Sequence, residues 1–272
     1  MQAMIFAAGL GTRLRPLTNN KPKALVEING KTLLERNIEK LLSFGINKIV
    51  VNIHHFPEKM RAAIGEIEKK YGCKILISDE SKELLNTGGG FLNAKKLFSD
   101  TDKLVLNTGE IVLNTDKLIL NISKTDNDTD FSASSSDSIL LHNVDILSDT
   151  DFSLMLKEFN KTTPLALLAV KKRDTQRYLI FNENNELCGW TNLKTNERII
   201  TRPCKQENLY AFSGIHIVSK HIFEKITLKG AFSLIDMYLE LSKHNIIKAY
   251  FDEGLWLDVG KLDAIEKAKE IF

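Results

Sequence analysis

The chain is short of cysteine, short of net charge and free of long apolar runs, and each shortage excludes a class of protein. Its three cysteines among 272 residues, Cys73, Cys188 and Cys204, lie far apart and form no Cys-x-x-Cys pair. A disulfide framework or a structural zinc site needs more, or closer, thiols, so inert thiols in a reducing compartment are expected. A formal net charge of +2 gives no general attraction to nucleic acid or an anionic membrane, and any positive charge that matters is local. No run of eighteen apolar residues occurs, and the chain opens directly into a strand without the basic and apolar regions of a secretory leader. The expectation is a cytoplasmic protein with no nucleic-acid or membrane partner. Two familiar phosphate motifs are missing as well. Leu14 stands where the dinucleotide fingerprint has its third Gly or Ala, and no Gly-Lys-Ser/Thr follows the first glycine at P-loop spacing.

What the chain does have is a glycine loop of another kind. An apolar strand, Met4 to Ala8, runs into Gly9-Leu10-Gly11-Thr12-Arg13-Leu14-Arg15-Pro16-Leu17-Thr18, with Lys21-Pro22-Lys23 close behind. Gly9 and Gly11 let backbone approach an anion, consecutive amides can form a concave nest, and Arg13, Arg15 and Lys23 add charge. Pro16 and Pro22 hold the segment extended, so the loop is cationic rather than a bare helix dipole.

The remaining sequence alternates strand and helix. Apolar periodicity predicts helices over Thr32–Phe44, Pro57–Tyr71, Gly90–Phe98, Asp151–Phe159, Phe232–Lys243 and Lys261–Phe272. Strands are predicted over Lys48–Ile53, Lys74–Ser78, Ile139–His142, Leu165–Val170 and Ile247–Phe251. Such alternation specifies an α/β fold, a Rossmann-like three-layer sandwich with a mostly parallel central sheet, whose ligands bind at the carboxyl ends of the strands. Between Tyr178 and Ile217 short strands with turns at Asn182–Asn185 and Lys194–Asn196 suggest antiparallel hairpins. With 43% hydrophobic residues the chain can bury one large core, so a single domain over 1–272 is expected. It is interrupted at about 99–138, where three Leu/Ile-rich strings recur seven residues apart before a Ser/Thr/Asn/Asp-rich stretch.

Residues 3 to 30 resemble the signature of the sugar-1-phosphate nucleotidyltransferases, the NDP-sugar pyrophosphorylases. The likeness continues through Leu33 to Phe98 and from Ile139 to the C-terminus, and the 99–138 segment is an insertion against it. Chain length and Thr87-Gly88-Gly89-Gly90 are most similar to the N-acetylmuramate-1-phosphate uridylyltransferase-like branch. The resemblance implies an EC 2.7.7 type transferase that joins a nucleoside triphosphate, UTP favoured, to a sugar 1-phosphate with release of pyrophosphate. It would be a monomer or small homo-oligomer. The alternatives are thymidylyl, guanylyl or cytidylyl transfer to hexose, heptose or phosphocholine, or a non-catalytic regulatory paralogue; retention of the charged residues named next argues against the last.

Roles follow from the same resemblance. Arg13 and Lys23 would be catalytic, stabilising charge on the α-phosphate and the leaving pyrophosphate. Ala8, Gly9, Gly11, Thr12, Thr87, Gly88 and Gly89 would bind nucleotide. Asp145 and Asp258, the latter within Trp256-Leu257-Asp258-Val259-Gly260, would hold Mg²⁺, which prefers hard oxygen ligands. The family commonly has Gly-Asp at the first of these places, and Val144 departs from it. Gly109-Glu110 mimics that pattern, but the helix and strand that follow Asp145 favour Asp145. Ser213 and Gly214 would face the sugar, although a bulge glycine explains Gly214 nearly as well. Arg177 and Lys171 or Lys172 are phosphate candidates, and His54, His55 and His142 lack metal-ligand spacing.

Overall fold

A computed structural model describes residues 1–99 and 137–272. The Leu/Ile-rich repeats and Glu110 lie outside the described residues. In chain order the elements are β1 (Gln2–Phe6), β2 (Glu27–Ile28), β3 (Lys31–Thr32), α1 (Leu33–Ser43), β4 (Lys48–Ile53), α2 (Pro57–Tyr71), β5 (Lys74–Asp79) and α3 (Asn86–Asn93). After residue 137 come β6 (Ser138–Asn143), β7 (Ile146–Ser148), α4 (Phe152–Thr162), β8 (Ala166–Lys171), β9 (Arg177–Phe181), β10 (Leu187–Asn192), β11 (Glu197–Ile200) and β12 (Asn208–Ser219). The chain closes with α5 (Ile222–Lys225), α6 (Leu234–Ser242), β13 (Ile247–Phe251), β14 (Trp256–Asp258) and α7 (Leu262–Ile271).

Helix starts follow local chemistry. The Thr32 side chain accepts from the Glu35 amide to begin α1, Asp151 accepts from the Ser153 and Leu154 amides to begin α4, and Ser233 with Asp236 forms a capping box at α6. The largest departure from expectation is at α3. It begins at Asn86 rather than Gly90, so Thr87 to Gly90 are helical and not a loop before a helix.

The central ten-stranded sheet is mixed. β6, β1, β4 and β5 are neighbours and all parallel. β12 then runs antiparallel to β6, β8 and β9, which continues into β10 and β11 as antiparallel hairpins. The connection β6–α4–β8 is the anticipated crossover, but β12 fills the place between its two strands. Alternation along β1 makes the three layers: Ala3 and Ile5 pack with α1 and α4, while Met4 and Phe6 join Phe91 and the apolar face of α6.

At the carboxyl ends of the parallel strands Phe6 is in register with Asn52 of β4 on one side and Asn143 of β6 on the other. These three residues form a floor, and the loop after β1 stands over it. Among the described residues, no helix is long and apolar enough to cross a membrane.

Candidate active site

A cavity of about 630 Å³ opens above that floor, lined by Ala8 to Arg13, Lys23, Asn52, Asn86, Thr87, Asn143, Asp145 and Gly260 among others. Its first wall is backbone. Gly11 takes a left-handed φ of 64°, and a Cβ there would lie 3.0 Å from the Lys23 Cβ and 3.1 Å from Thr18 Cγ2. The Thr18 hydroxyl donates to the Gly11 carbonyl at 2.8 Å, and the Leu14 amide does so at 3.0 Å. The loop is therefore fixed by its carbonyls, and among the described residues the amides of Ala8, Gly9, Leu10 and Gly11 donate to no protein acceptor. Four consecutive free amides over a concave opening form an anion nest.

The charged groups converge on the same opening. Asp145 lies just past β6 and is ion-paired through Oδ2 to the Lys23 ammonium, both side chains being largely buried. The Asp145 carbonyl accepts from the Val259 amide at 2.9 Å, and Asp258 is in register with Ile146, so both carboxylates are carried by one two-stranded ribbon, β7 with β14. Asp258 Oδ1 accepts from the Gly260 amide at 2.8 Å. A Cβ on Gly260 would sit 2.7 Å from that oxygen and 2.9 Å from Arg13 Nη2, so the ends of the Asp258 and Arg13 side chains both lie close to Gly260. Arg13 is exposed and has no ion-pair partner among the described residues, which leaves its charge available to a ligand.

Thr87 lines the cavity, but Gly88 and Gly89 do not. Their amides both donate to the Phe232 carbonyl, at 2.8 and 3.1 Å. A Cβ at Gly88 would strike the Phe232 ring at 2.4 Å, and one at Gly89 the Gly230 carbonyl at 2.4 Å. These glycines let the 230–234 segment pack against α3, and the placement of that segment brings Ala231 to the cavity wall.

The sugar-side candidates are also placed differently from expectation. Ser213 is fully buried, and its carbonyl accepts from Trp256 Nε1 at 2.8 Å. Gly214 has φ 77° at an irregularity in the β12–β8 pairing between Phe212 and His216, which makes it a bulge glycine, and a Cβ there would lie 2.8 Å from Asn143 Nδ2. Both shape the strand behind the site rather than its surface. Lys171 ion-pairs with Asp252 and donates to the Gly254 carbonyl, so its charge is taken up inside the protein.

A second cavity, of about 490 Å³, has Arg173, Arg177, Tyr178, Trp190, Phe212 and Ile235 among its lining residues. Arg173 links it to the carboxylates. Its guanidinium stacks over Trp256 at 4.4 Å and donates to the Phe212 carbonyl at 3.2 Å. Burial pulls its pKa below the ordinary arginine value, and the nearby Asp258 charge opposes that pull. The signal for Arg173 was faint: a cation just past β8, directly after two lysines that looked as suitable. Asn52 and Ala231 were missed as well. Asn52 is a buried polar side chain that interrupts the apolar run of Ile49, Val50, Val51 and Ile53, and that interruption was the readable signal.

His142 and His216 are buried, and desolvation brings each pKa down to about 3, so both imidazoles are neutral at pH 7 and neither is available from solvent. Among the described residues no group of three or more His, Cys, Asp or Glu is arranged to hold a metal ion.

Residues 2–129 match the family model described as Nucleotidyl transferase. The chain is 46% identical over 93 residues to an N-acetylmuramate alpha-1-phosphate uridylyltransferase from Caulobacter vibrioides, covering 34% of this chain and 38% of that protein. It is 43% identical over 86 residues to a choline-phosphate cytidylyltransferase from Streptococcus pneumoniae, covering 32% and 36%. Against the mannose-1-phosphate guanylyltransferase catalytic subunit beta of Dictyostelium discoideum it is 41% identical over 88 residues, covering 32% and 24%. The matched stretch thus spans well under half of each relative. A UDP-glucose pyrophosphorylase from Acinetobacter baumanii shares the fold at TM-score 0.68 and 16% identity, covering 98% of this chain and 91% of that one. An inositol-1-phosphate CTP transferase from T. maritima does so at TM-score 0.65 and 15% identity, covering 99% and 96%. The likeness to sugar-1-phosphate nucleotidyltransferases drawn from the loop motif is borne out by the family match and the relatives, and the α/β fold by the solved structures.

Proposed function

We propose, for a chain whose residues 2–129 match the Nucleotidyl transferase family model, that it transfers a nucleotidyl group from a nucleoside triphosphate, UTP favoured, to a sugar 1-phosphate. The observation that carries this reading is the run of free amides from Ala8 to Gly11, set beside Arg13 and facing the Lys23–Asp145 pair. In the reaction one phosphate oxygen of the sugar phosphate attacks the α-phosphorus. The bond from that phosphorus to the α,β-bridging oxygen breaks, and pyrophosphate leaves with the electron pair. The attacking group is already an anion, so no side-chain base is required.

This chain's residues do the rest by charge and position. The amide nest holds the β- and γ-phosphates, Arg13 meets charge as it builds on the α-phosphate, and Lys23, oriented by Asp145, faces the same atom. Asp145 and Asp258 would hold a magnesium ion, which when bound supplies further positive charge there. Two hard carboxylates on one ribbon suit that ion, provided phosphate oxygens and water complete its shell. The second cavity takes the acceptor, with Arg173 at its inner end beside Asp258 and the aromatic side chains Tyr178, Trp190 and Phe212 against the sugar.

The test is a pyrophosphate-release screen of UTP, dTTP, CTP and GTP against N-acetylmuramate, N-acetylglucosamine, glucose and mannose 1-phosphates and phosphocholine. The reading expects one nucleotide to dominate and release to require the acceptor. Absence of release across the panel would leave a binding protein.

A further inference from the structure

The mechanism leaves a buried carboxylate unused. Glu80, just past β5, is 3% exposed and Asn52 is 2% exposed, and of the two Asn52 lines the nucleotide cavity. Asn52 Oδ1 accepts from the Ala7 amide at 2.7 Å, where β1 turns into the phosphate loop. Asn52 Nδ2 donates to Glu80 Oε1 at 2.7 Å, and Glu80 Oε2 accepts from the Leu85 amide at 3.3 Å. Leu84, Asn86 and Thr87 line the same cavity. The relay Ala7–Asn52–Glu80–Leu85 therefore joins the loop that faces the phosphates to that segment. Helix α3 closes on the relay: a Cβ at Gly90 would be 2.4 Å from Glu80 Oε1 and 3.0 Å from Asn52 Nδ2. Every polar atom of both side chains is used, and burying a carboxylate for packing alone would be costly.

We infer that Asn52 and Glu80 are positioning residues that hold the two walls of the nucleotide cavity at one fixed separation, so that phosphates and nucleoside bind as a single preorganised unit. The inference rests on the proposal that this cavity binds a nucleoside triphosphate. Preorganisation of this kind appears as a linkage gain, the amount by which an intact ligand binds more tightly than its separate pieces would allow. A residue that only stabilises the fold does not alter that gain selectively.

The experiment measures affinity for three probes by titration calorimetry or ligand-observed NMR: the best-bound triphosphate among UTP, dTTP, CTP and GTP, its nucleoside, and tripolyphosphate. Asn52→Asp sets carboxylate against carboxylate, and Glu80→Gln sets an amide donor against the Leu85 N–H. The double substitution restores a donor and an acceptor at every contact, because the new carboxylate still accepts from Ala7 and the new amide donates to it and accepts from Leu85. Each single variant is expected to bind the triphosphate at least tenfold more weakly while each fragment stays within twofold of wild type. The double variant should return to within threefold, and it serves as the check if a single change unfolds the chain. Unchanged triphosphate affinity in a folded single variant, parallel loss for all three probes, or no recovery in the double variant would overturn the inference. Failure of the wild-type protein to bind either a triphosphate or tripolyphosphate would instead overturn the nucleotide reading, and the inference with it.

Discussion

On the parallel side of the sheet the loop after β1 offers the first cavity a run of free backbone amides, Ala8 to Gly11, fixed by hydrogen bonds to the carbonyl of Gly11. On the antiparallel side β9, β10 and β12 line the second cavity with side chains, among them Arg177, Tyr178, Trp190 and Phe212. A backbone nest accepts any polyphosphate with the right spacing, whereas a wall of side chains can be retuned residue by residue without moving a strand. The family match covers residues 2–129, which include β1, β4 and β5 but none of β9, β10 and β12. On the function proposed above, the comparison assigns the general part of the chemistry to the half that carries the amide nest, and selection of the acceptor to the half that carries the second cavity.

The carboxylates stand where the halves meet, so their loss should be the most damaging. Asp145→Asn and Asp258→Asn are each expected to lower kcat by about a thousandfold or more, with the melting temperature held within a few degrees. Steady-state kinetics beside thermal melts would check this, and near-normal turnover in both variants would dissolve the shared centre. Next in size is Arg13→Ala, expected to reduce kcat by about a hundredfold while the nucleotide KM changes little, since its charge is needed most as the α-phosphate reacts. A large rise in KM with unchanged kcat would make Arg13 a ground-state anchor instead.

At the seam of the two halves, His142 of β6 is in register with Ile215 of β12. Burial holds its folded pKa down to about 3. The unfolded chain therefore takes up a proton first, as pH falls through about 6.5, and stability is lost from there toward pH 3. His142→Asn should make the fall in urea stability between pH 6.5 and 5 shallower by about 2 kcal/mol. An identical slope in the variant would show that His142 is accessible. The mildest effect is expected at the acceptor: Arg173→Met should raise the sugar-phosphate KM by about tenfold and leave the nucleotide KM within twofold. Equal movement of both constants would remove the division of labour between the halves.

Strand and helix positions were legible because each element carries its own periodicity. β4, α2 and β13 begin and end where the pattern places them. The Gly9 loop, Lys23, Asp145 and Asp258 were picked out by short local motifs, and the structure brings them close together. Gly88 and Gly89 were misplaced because their partners, Phe232 and Gly230, lie more than a hundred residues away, and glycine chosen for close packing looks the same as glycine chosen for a ligand. Gly214 had the same ambiguity, and the strand irregularity decided it. Arg173, Asn52 and Glu80 depend on which side chains the sheet brings together, information that no local window holds.

The most direct measurement follows the label of α-³²P UTP incubated with N-acetylmuramate 1-phosphate, magnesium and the wild-type protein. The account predicts that the label appears in the sugar nucleotide while unlabelled pyrophosphate is released in equal amount. Label recovered as free UMP, or as UDP with phosphate passed to the sugar, would contradict attack at the α-phosphorus by the sugar phosphate.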